Sequence, residues 1–261
     1  RPSALGEVAA RFGYAGIAHT VTLPAPHLSQ PQLRPVISCP SSKVFEGRGP
    51  LGGSIGRSLG GGRPGTFLQL QRLTVVVSDQ SQITAANQAV NLKPGYDIVA
   101  FRPTSEDAWQ LICEKGNCDV LSLNLAEKLP FALRRNQVQA FLKRGGFFEI
   151  EFAPALRDSG RRRMMMTNVE QLLHSTQGKN VFLSSAARDG MEMRSPHDLA
   201  NFAAVLGLRG ATGLQSVSVV PYRVLQRGAA RRGNAQIVPP ALWPATEASA
   251  DENMPEWIPC G

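Results

Sequence analysis

Apolar residues recur at three- and four-residue intervals over residues 5–12 (Leu5, Val8, Ala9, Phe12), which predicts a helix stopped by Gly13. The short run Gly16-Ile17-Ala18 predicts a buried strand. Residues 24–66 are then rich in Gly, Pro and Ser, a composition that buries little and predicts a linker or mobile insertion. Regular patterning resumes with the β-branched run Leu73-Thr74-Val75-Val76-Val77, followed by helical spacing from Ile83 to Leu92. Strands are predicted again at Asp97-Ile98-Val99-Ala100-Phe101, Asp119-Val120-Leu121-Ser122-Leu123, Phe148-Glu149-Ile150-Glu151-Phe152 and Val181-Phe182-Leu183.

Helices are predicted between these strands. Thr104-Ser105-Glu106-Asp107 reads as a capping box opening a helix that closes near Gly116. A second covers residues 136–144 and stops at Gly145-Gly146. A third, residues 162–174, carries Met165, Val169, Leu172 and Leu173 on one face, and Ser195-Pro196-His197-Asp198 caps a fourth. Beyond Val217 the chain reads as helical to about Arg232. Short apolar strands alternating with helices imply β–α–β units and a parallel sheet. Without a glycine-rich nucleotide fingerprint after the first strand, the pattern favours a (β/α) barrel over an open sheet. The expected layout is one barrel domain over residues 1–232, with the insertion at 24–66, and an extended acidic Pro/Ala-rich tail over 233–261.

Hydrophobic residues make up 43% of the 261 positions and charged ones 18%, enough apolar material for a core. No apolar run approaches the ~18 residues of a membrane span, and the first residues lack the apolar stretch of a signal peptide. Four cysteines (Cys39, Cys113, Cys118, Cys260) are too few and too scattered for a disulfide framework, so free thiols are expected. The net charge of +8 is unevenly placed. Residues 131–240 hold 16 Lys/Arg against 7 Asp/Glu, a net of +9, so the remainder sums to −1. A localised surplus of that kind suits phosphates.

Candidate chemistry is sparse. His19, His27, His174 and His197 fall in no HxH or HExxH pattern, so no metal site is expected. Glu149 and Glu151 share one strand face; paired carboxylates can do acid–base work, but carboxylates alternating with Phe148, Ile150 and Phe152 are more often solvated or salt-bridged, the latter inside the barrel with an Arg. Gly47, Gly49 and Gly52 satisfy GxGxxG only formally, because Pro50 interrupts the loop and no strand precedes it. Ser184-Ser185 follows a strand with no His/Asp pair beside it. The basic residues are more suggestive. In a barrel, loops after neighbouring strands lie side by side, so Arg157, Arg161, Arg188 and Arg194 are expected to converge on one rim. Helix N-termini at Ser159 and Ser195 would add polarised N–H groups there.

Several ordered motifs resemble one known family. They include Leu73-Thr74-Val75-Val76-Val77-Ser78-Asp79, Tyr96-Asp97-Ile98-Val99-Ala100 and Glu127-Lys128-Leu129-Pro130-Phe131. Phe148-Glu149-Ile150, Ala153-Pro154-Ala155 and Arg157-Asp158-Ser159 follow in order, then Gly178-Lys179-Asn180-Val181-Phe182-Leu183-Ser184-Ser185 and Arg194-Ser195-Pro196-His197-Asp198. Together they are similar to the TIM-barrel protein subunit of archaeal and eukaryotic ribonuclease P and eukaryotic ribonuclease MRP. The match runs over residues 68–232, and more weakly over residues 5–20.

The resemblance implies a distorted (β/α) barrel whose first strand is expected to be missing from this chain, which starts inside the first helix. It implies a subunit without catalytic residues or bound cofactors of its own. The partners would be a catalytic RNA holding magnesium, a small RNA-binding protein subunit and, indirectly, precursor tRNA, in the nucleus and nucleolus, with no membrane. Leu129, Pro130, Phe131, Glu149, Ser184 and Ser185 are the family-motif residues, and Arg157, Arg161, Arg162, Arg163, Lys179, Arg188 and Arg194 the candidates for RNA or partner contact. The competing readings are a metal-dependent phosphoesterase, which needs clustered His and Asp at strand ends, and a protein-only interaction scaffold.

Overall fold

The computed structural model describes residues 2–26, 68–92 and 95–233. Six strands lie side by side in sequence order: β1 (Gly16–Pro24), β2 (Leu68–Val77), β3 (Ile98–Pro103), β4 (Val120–Ser122), β5 (Phe147–Glu151) and β6 (Val181–Ser184). Every neighbouring pair is parallel, and the sheet curls into a half-barrel, so the expected distorted TIM-like barrel is borne out. The crossovers are α2 (Gln80–Leu92), α3 (Glu106–Lys115), α4 (Arg135–Lys143), α5 (Ala153–Arg157) and α6 (Ser159–Thr176). Helix α1 (Pro2–Arg11) precedes β1, and α7 (Pro196–Val205), α8 (Ala211–Gln215) and α9 (Val219–Arg231) follow β6.

The twofold alternation along each strand builds two layers. Leu73, Val75 and Val77 of β2, Val99 and Phe101 of β3, Phe148 and Ile150 of β5, and Leu183 of β6 face the helices. They pack against Ile83, Trp109, Ile112, Phe141, Met165 and Leu172, each buried. Burying each such side chain contributes roughly 1.5–3 kcal/mol before entropy is counted. The opposite, concave face is filled only near the strand starts, by Ile98, Ala100, Val120, Phe147 and Phe182 under Val224 of α9. Helix α9 thus plugs the lower half of the barrel and leaves the upper half to polar residues.

The plug is held by charge. Arg231 donates to the buried Asp119 and Arg232 pairs with Asp97, at the starts of β4 and β3. Gly228 allows the approach, since a Cβ there would stand 2.1 Å from the Asp97 carbonyl oxygen.

Ser105 caps α3 as expected, accepting from the Ala108 N–H, and Ser195 caps α7 by accepting from Asp198 N–H. Helix α6 opens at Ser159 as expected, and Asp158 caps it: the Asp158 carboxylate accepts from the Arg161 N–H at 2.7 Å. The extent of the first strand needs correcting. Strand β1 runs to Pro24, beyond the predicted residues 16–18, because it is anchored by nine register partners on β2 while Ala18, Thr20, Thr22 and Pro24 stay exposed. The Gly-rich insertion, apart from its first residues 24–26, and the acidic tail, apart from Gly233, lie outside the described residues, as do Cys39, Cys260 and His27. Cys113 and Cys118 are free and buried, and burial pushes both thiols up, which keeps them unreactive. Among the described residues no helix is long and apolar enough to cross a membrane.

Candidate nucleic-acid rim and inner polar network

The sheet's inward-facing positions turn polar toward the strand ends. Arg72 of β2 reaches across the concave face and pairs with Glu149 of β5 through both guanidinium ends. The side chains are 9% and 1% exposed, so this pair is desolvated. One step nearer the mouth, Arg102 of β3 pairs with Glu151 and donates to Ser122 Oγ at 2.8 Å. Of the two expected fates for Glu149 and Glu151, solvation or ion pairing, the barrel imposes ion pairing, with Arg72 and Arg102 as partners that spacing did not name.

The two carboxyls are driven apart. Burial alone would raise both. For Glu149 the field and hydrogen bonds of Arg72 outweigh it, and the carboxyl is held far below the ordinary range. Glu151 is raised by burial and by the Glu149 charge, against the pull of Arg102 and Arg72. Ser184 and Ser185, the motif serines, end the same wall, and the Ser184 hydroxyl, with that of Ser122, helps to hold the Glu149 carboxyl down. No group of three or more His, Cys, Asp or Glu among the described residues is placed to hold a metal ion.

The loops above this mouth carry the basic rim. Arg157, at the end of α5, grips Glu192 through Nε and Nη2, and Glu192 also accepts from the Arg188 N–H at 2.8 Å. Those bonds, led by Arg157, pull Glu192 down to about 2. Arg194 donates to the Met191 and Met193 carbonyls, and its own carbonyl accepts from Tyr14 Oη at 2.7 Å. Val8 and Ala9 of α1 close under this turn, which ties the rim to the first helix. Arg157 and Arg194 are therefore braces of the loop.

The rest stand outward. Arg161, Arg162 and Arg163 project from the first turn of α6, Arg161 only 3.9 Å from Glu127. Arg188 is exposed beside the Arg157–Glu192 pair. Lys179 is also exposed, but it precedes β6 and so sits at the opposite end of the strands. Methionines that pattern reading did not single out share the rim: Met164 and Met166 flank the buried Met165, and Met191 is 85% exposed. Their signal was the run Met164-Met165-Met166, of which a helix can bury only one.

The motif Leu129-Pro130-Phe131 lies in the loop after β4. Phe131 stacks on Trp109 with centroids 5.0 Å apart, Leu129 packs beside the core and Pro130 is exposed. The loop is pinned by the buried Asn168 of α6, whose amide donates to the Leu125 and Glu127 carbonyls at 2.8 Å each. Sequence reading passed over Asn168, because an Asn in a helix gives no sign of facing inward.

Comparison with known proteins places this geometry. A family model described as RNase P subunit p30 matches residues 3–233. The ribonuclease P protein subunit p30 of Mus musculus is 33% identical over 186 residues, covering 71% of this chain and 69% of that protein. The protein GAMETOPHYTE DEFECTIVE 1 of Arabidopsis thaliana is 32% identical over 218 residues, 82% of this chain but 37% of that longer protein. A chain from a cryo-EM structure of archaeal ribonuclease P with mature tRNA superposes with a TM-score of 0.53 at 13% identity, over 63% of this chain and 71% of its own, a likeness of fold. The family match spans the half-barrel, its rim and its plugging helix, and the chain belongs to the RNase P subunit p30 family.

Proposed function

We propose that this chain is a non-catalytic protein subunit of a ribonuclease P or MRP particle, supporting a catalytic RNA in 5′-leader removal from precursor tRNA or in rRNA processing. The observation that carries the reading is the family match over residues 3–233 together with a rim whose outward cations have, among the described residues, no carboxylate within hydrogen-bond reach. Arg161, Arg162, Arg163 and Arg188 make the phosphate contacts in this reading, with Arg157 and Arg194 holding the loop that presents them. Lys179 serves a separate contact at the far end of the barrel. The cleavage chemistry belongs to the RNA and its magnesium, and a small RNA-binding protein subunit shares the support. Family membership favours the nucleus, and the nucleolus is the expected compartment within it.

A tagged pull-down from native extract, with sequencing of the bound RNA and a precursor-tRNA cleavage assay, tests this. A structured non-coding RNA should be recovered, with cleavage abolished by RNA digestion and tracking the tagged chain. Recovery of the chain with no RNA, or cleavage that survives RNA digestion, overturns the proposal.

A further inference from the structure

A second group of cations stands at the strand-start end of the barrel, opposite the rim. Lys115 closes α3, Lys143 closes α4, Lys179 follows α6 and Arg209 follows α7, and all four are exposed. Contacts between neighbouring helix ends set them on one arc. Arg144 donates to the Ile112, Cys113 and Gly116 carbonyls at the end of α3. Asn180 donates to the Gly146 carbonyl after α4, and a Cβ at Gly178 would stand 3.3 Å from Leu208. Among the described residues none of the four cationic side chains has an ion pair or a hydrogen bond.

Local carboxylates do not balance this arc. Asp97 and Asp119 at the strand starts are taken by Arg227, Arg231 and Arg232 of α9. Glu114 lies beside Lys115 and accepts from Gln110. With Arg144 included, these groups are eight cations against three carboxylates, a net of +5. Carbonyls at a helix C-terminus favour a cation in the last turn, which suits Lys115 and Lys143. Lys179 and Arg209 lie beyond the last turns of α6 and α7, so the helix ends do not account for them.

The chain carries a matching segment. Arg231 and Arg232 fasten the end of α9 to Tyr96 and Asp97, so the backbone leaves Gly233 at the centre of the arc. The 28 residues beyond it hold Glu247, Asp251, Glu252 and Glu256 and no Lys or Arg, a charge of −4. Thirteen residues separate Gly233 from Glu247, a reach of roughly 45 Å when extended. The arc from α3 through α4 and α6 to α7 takes three helix-to-helix steps of about 8–10 Å each. A single exposed ion pair is weak, but a tether of this length keeps four carboxylates at an effective concentration on the millimolar scale.

We propose that the acidic run at residues 247–256 docks on the strand-start face over Lys115, Lys143, Lys179 and Arg209 and shields these cations in the free chain. This gives the separate contact of Lys179 its partner, and it does not depend on phosphate binding at the opposite rim.

Zero-length cross-linking of the full chain with a water-soluble carbodiimide, at submicromolar concentration and read by mass spectrometry, tests the docking. Carbodiimide activates a carboxylate, a lysine Nζ in contact attacks it, and an amide remains once the urea leaves. Amides should join Glu247, Asp251, Glu252 or Glu256 to Lys115, Lys143 or Lys179 within the monomer, and should fade near 1 M salt. A second measurement compares lysine acetylation by an activated ester in the wild type and in the full chain carrying Glu247→Gln, Asp251→Asn, Glu252→Gln and Glu256→Gln, with folding checked by circular dichroism. Lys115, Lys143 and Lys179 should react at least about threefold faster in the variant, while Lys128, exposed at the opposite end, should be unchanged. Absence of those amides, their confinement to cross-linked dimers, or equal acetylation of the two chains overturns the proposal. So does protection of the three lysines that arises only when a uridine oligonucleotide is added, which would give the face to nucleic acid.

Discussion

Removing either partner of Arg72–Glu149 leaves a charge in a desolvated interior, and that penalty governs the outcome more than the strength of the pair itself. Arg72→Met should therefore cost about 3–5 kcal/mol in urea unfolding, while the double change Arg72→Met with Glu149→Leu recovers most of the loss. Their pH behaviour separates the two carboxyls. Glu149 has a folded value below its unfolded one, so its contribution is complete above the ordinary carboxylate range and is lost as pH falls through the depressed folded value. Glu151 has the opposite sign: its contribution is present below the ordinary value and is lost as pH rises through the raised one. Glu151→Gln copies the protonated form, so it should flatten the neutral side of a stability–pH profile and leave the acid limb in place. Equal flattening of both limbs would show that the pair titrates as a single unit.

Elements hold this molecule together through a few approaches that single side chains permit. Helix α9 packs on β3 only because position 228 has no Cβ, and its last-turn arginines meet the carboxylates at the strand starts. An alanine in a helix interior normally stabilises by roughly 1 kcal/mol over glycine. At this position Gly228→Ala should instead lower Tm, since backbone must move, and amide exchange should quicken first in α9 and at the start of β3. The loop after β4 depends similarly on α6. Asn168→Ala strands the buried Leu125 carbonyl and frees the half-buried Glu127 carbonyl, and a loss of about 1–3 kcal/mol is expected, with exchange rising locally over residues 123–133. Wild-type protection there in the variant would mean that the aromatic stack of Trp109 on Phe131 holds the loop alone.

For the whole molecule, the distribution of charge is what couples fold to function. Arg161, Arg162 and Arg163 leave the barrel in one helical turn, on the same side as Arg188, so a phosphate backbone laid on that rim would meet them together. Replacing the three α6 arginines by Glu should weaken binding to the particle RNA by at least about tenfold near 0.1 M salt and make its logarithmic salt slope shallower by about 0.7–0.9 for each lost contact. Stability should be nearly unchanged, because these side chains are exposed. An altered slope without altered affinity, or unfolding of the variant, would remove them from the interface.

Local patterning was enough to read most of the architecture. The β-branched run at Leu73–Val77 and the apolar helix faces depend only on nearest neighbours, and so do the caps at Ser105 and Ser195; strand and helix periods therefore exposed four of the six strands nearly in full and the second half of β2. The basic surplus between residues 131 and 240 was equally legible, since charge is a property of composition. Pairing across the barrel was not. Arg72 and Glu149 are 77 positions apart, and nothing near either residue announces the other. The same holds for the division of labour on the rim. Arg157 and Arg194 look no different in sequence from Arg162 and Arg163, yet the loop after β6 engages the first two in bonds while the others stand exposed on α6. Strand β1 was cut short in reading because its inner face is open and carries no apolar signal, and only its ladder with β2 extends it to Pro24. Short-range physics sets the elements, whereas long-range contacts decide which charges are buried, which are bound and which remain for a partner.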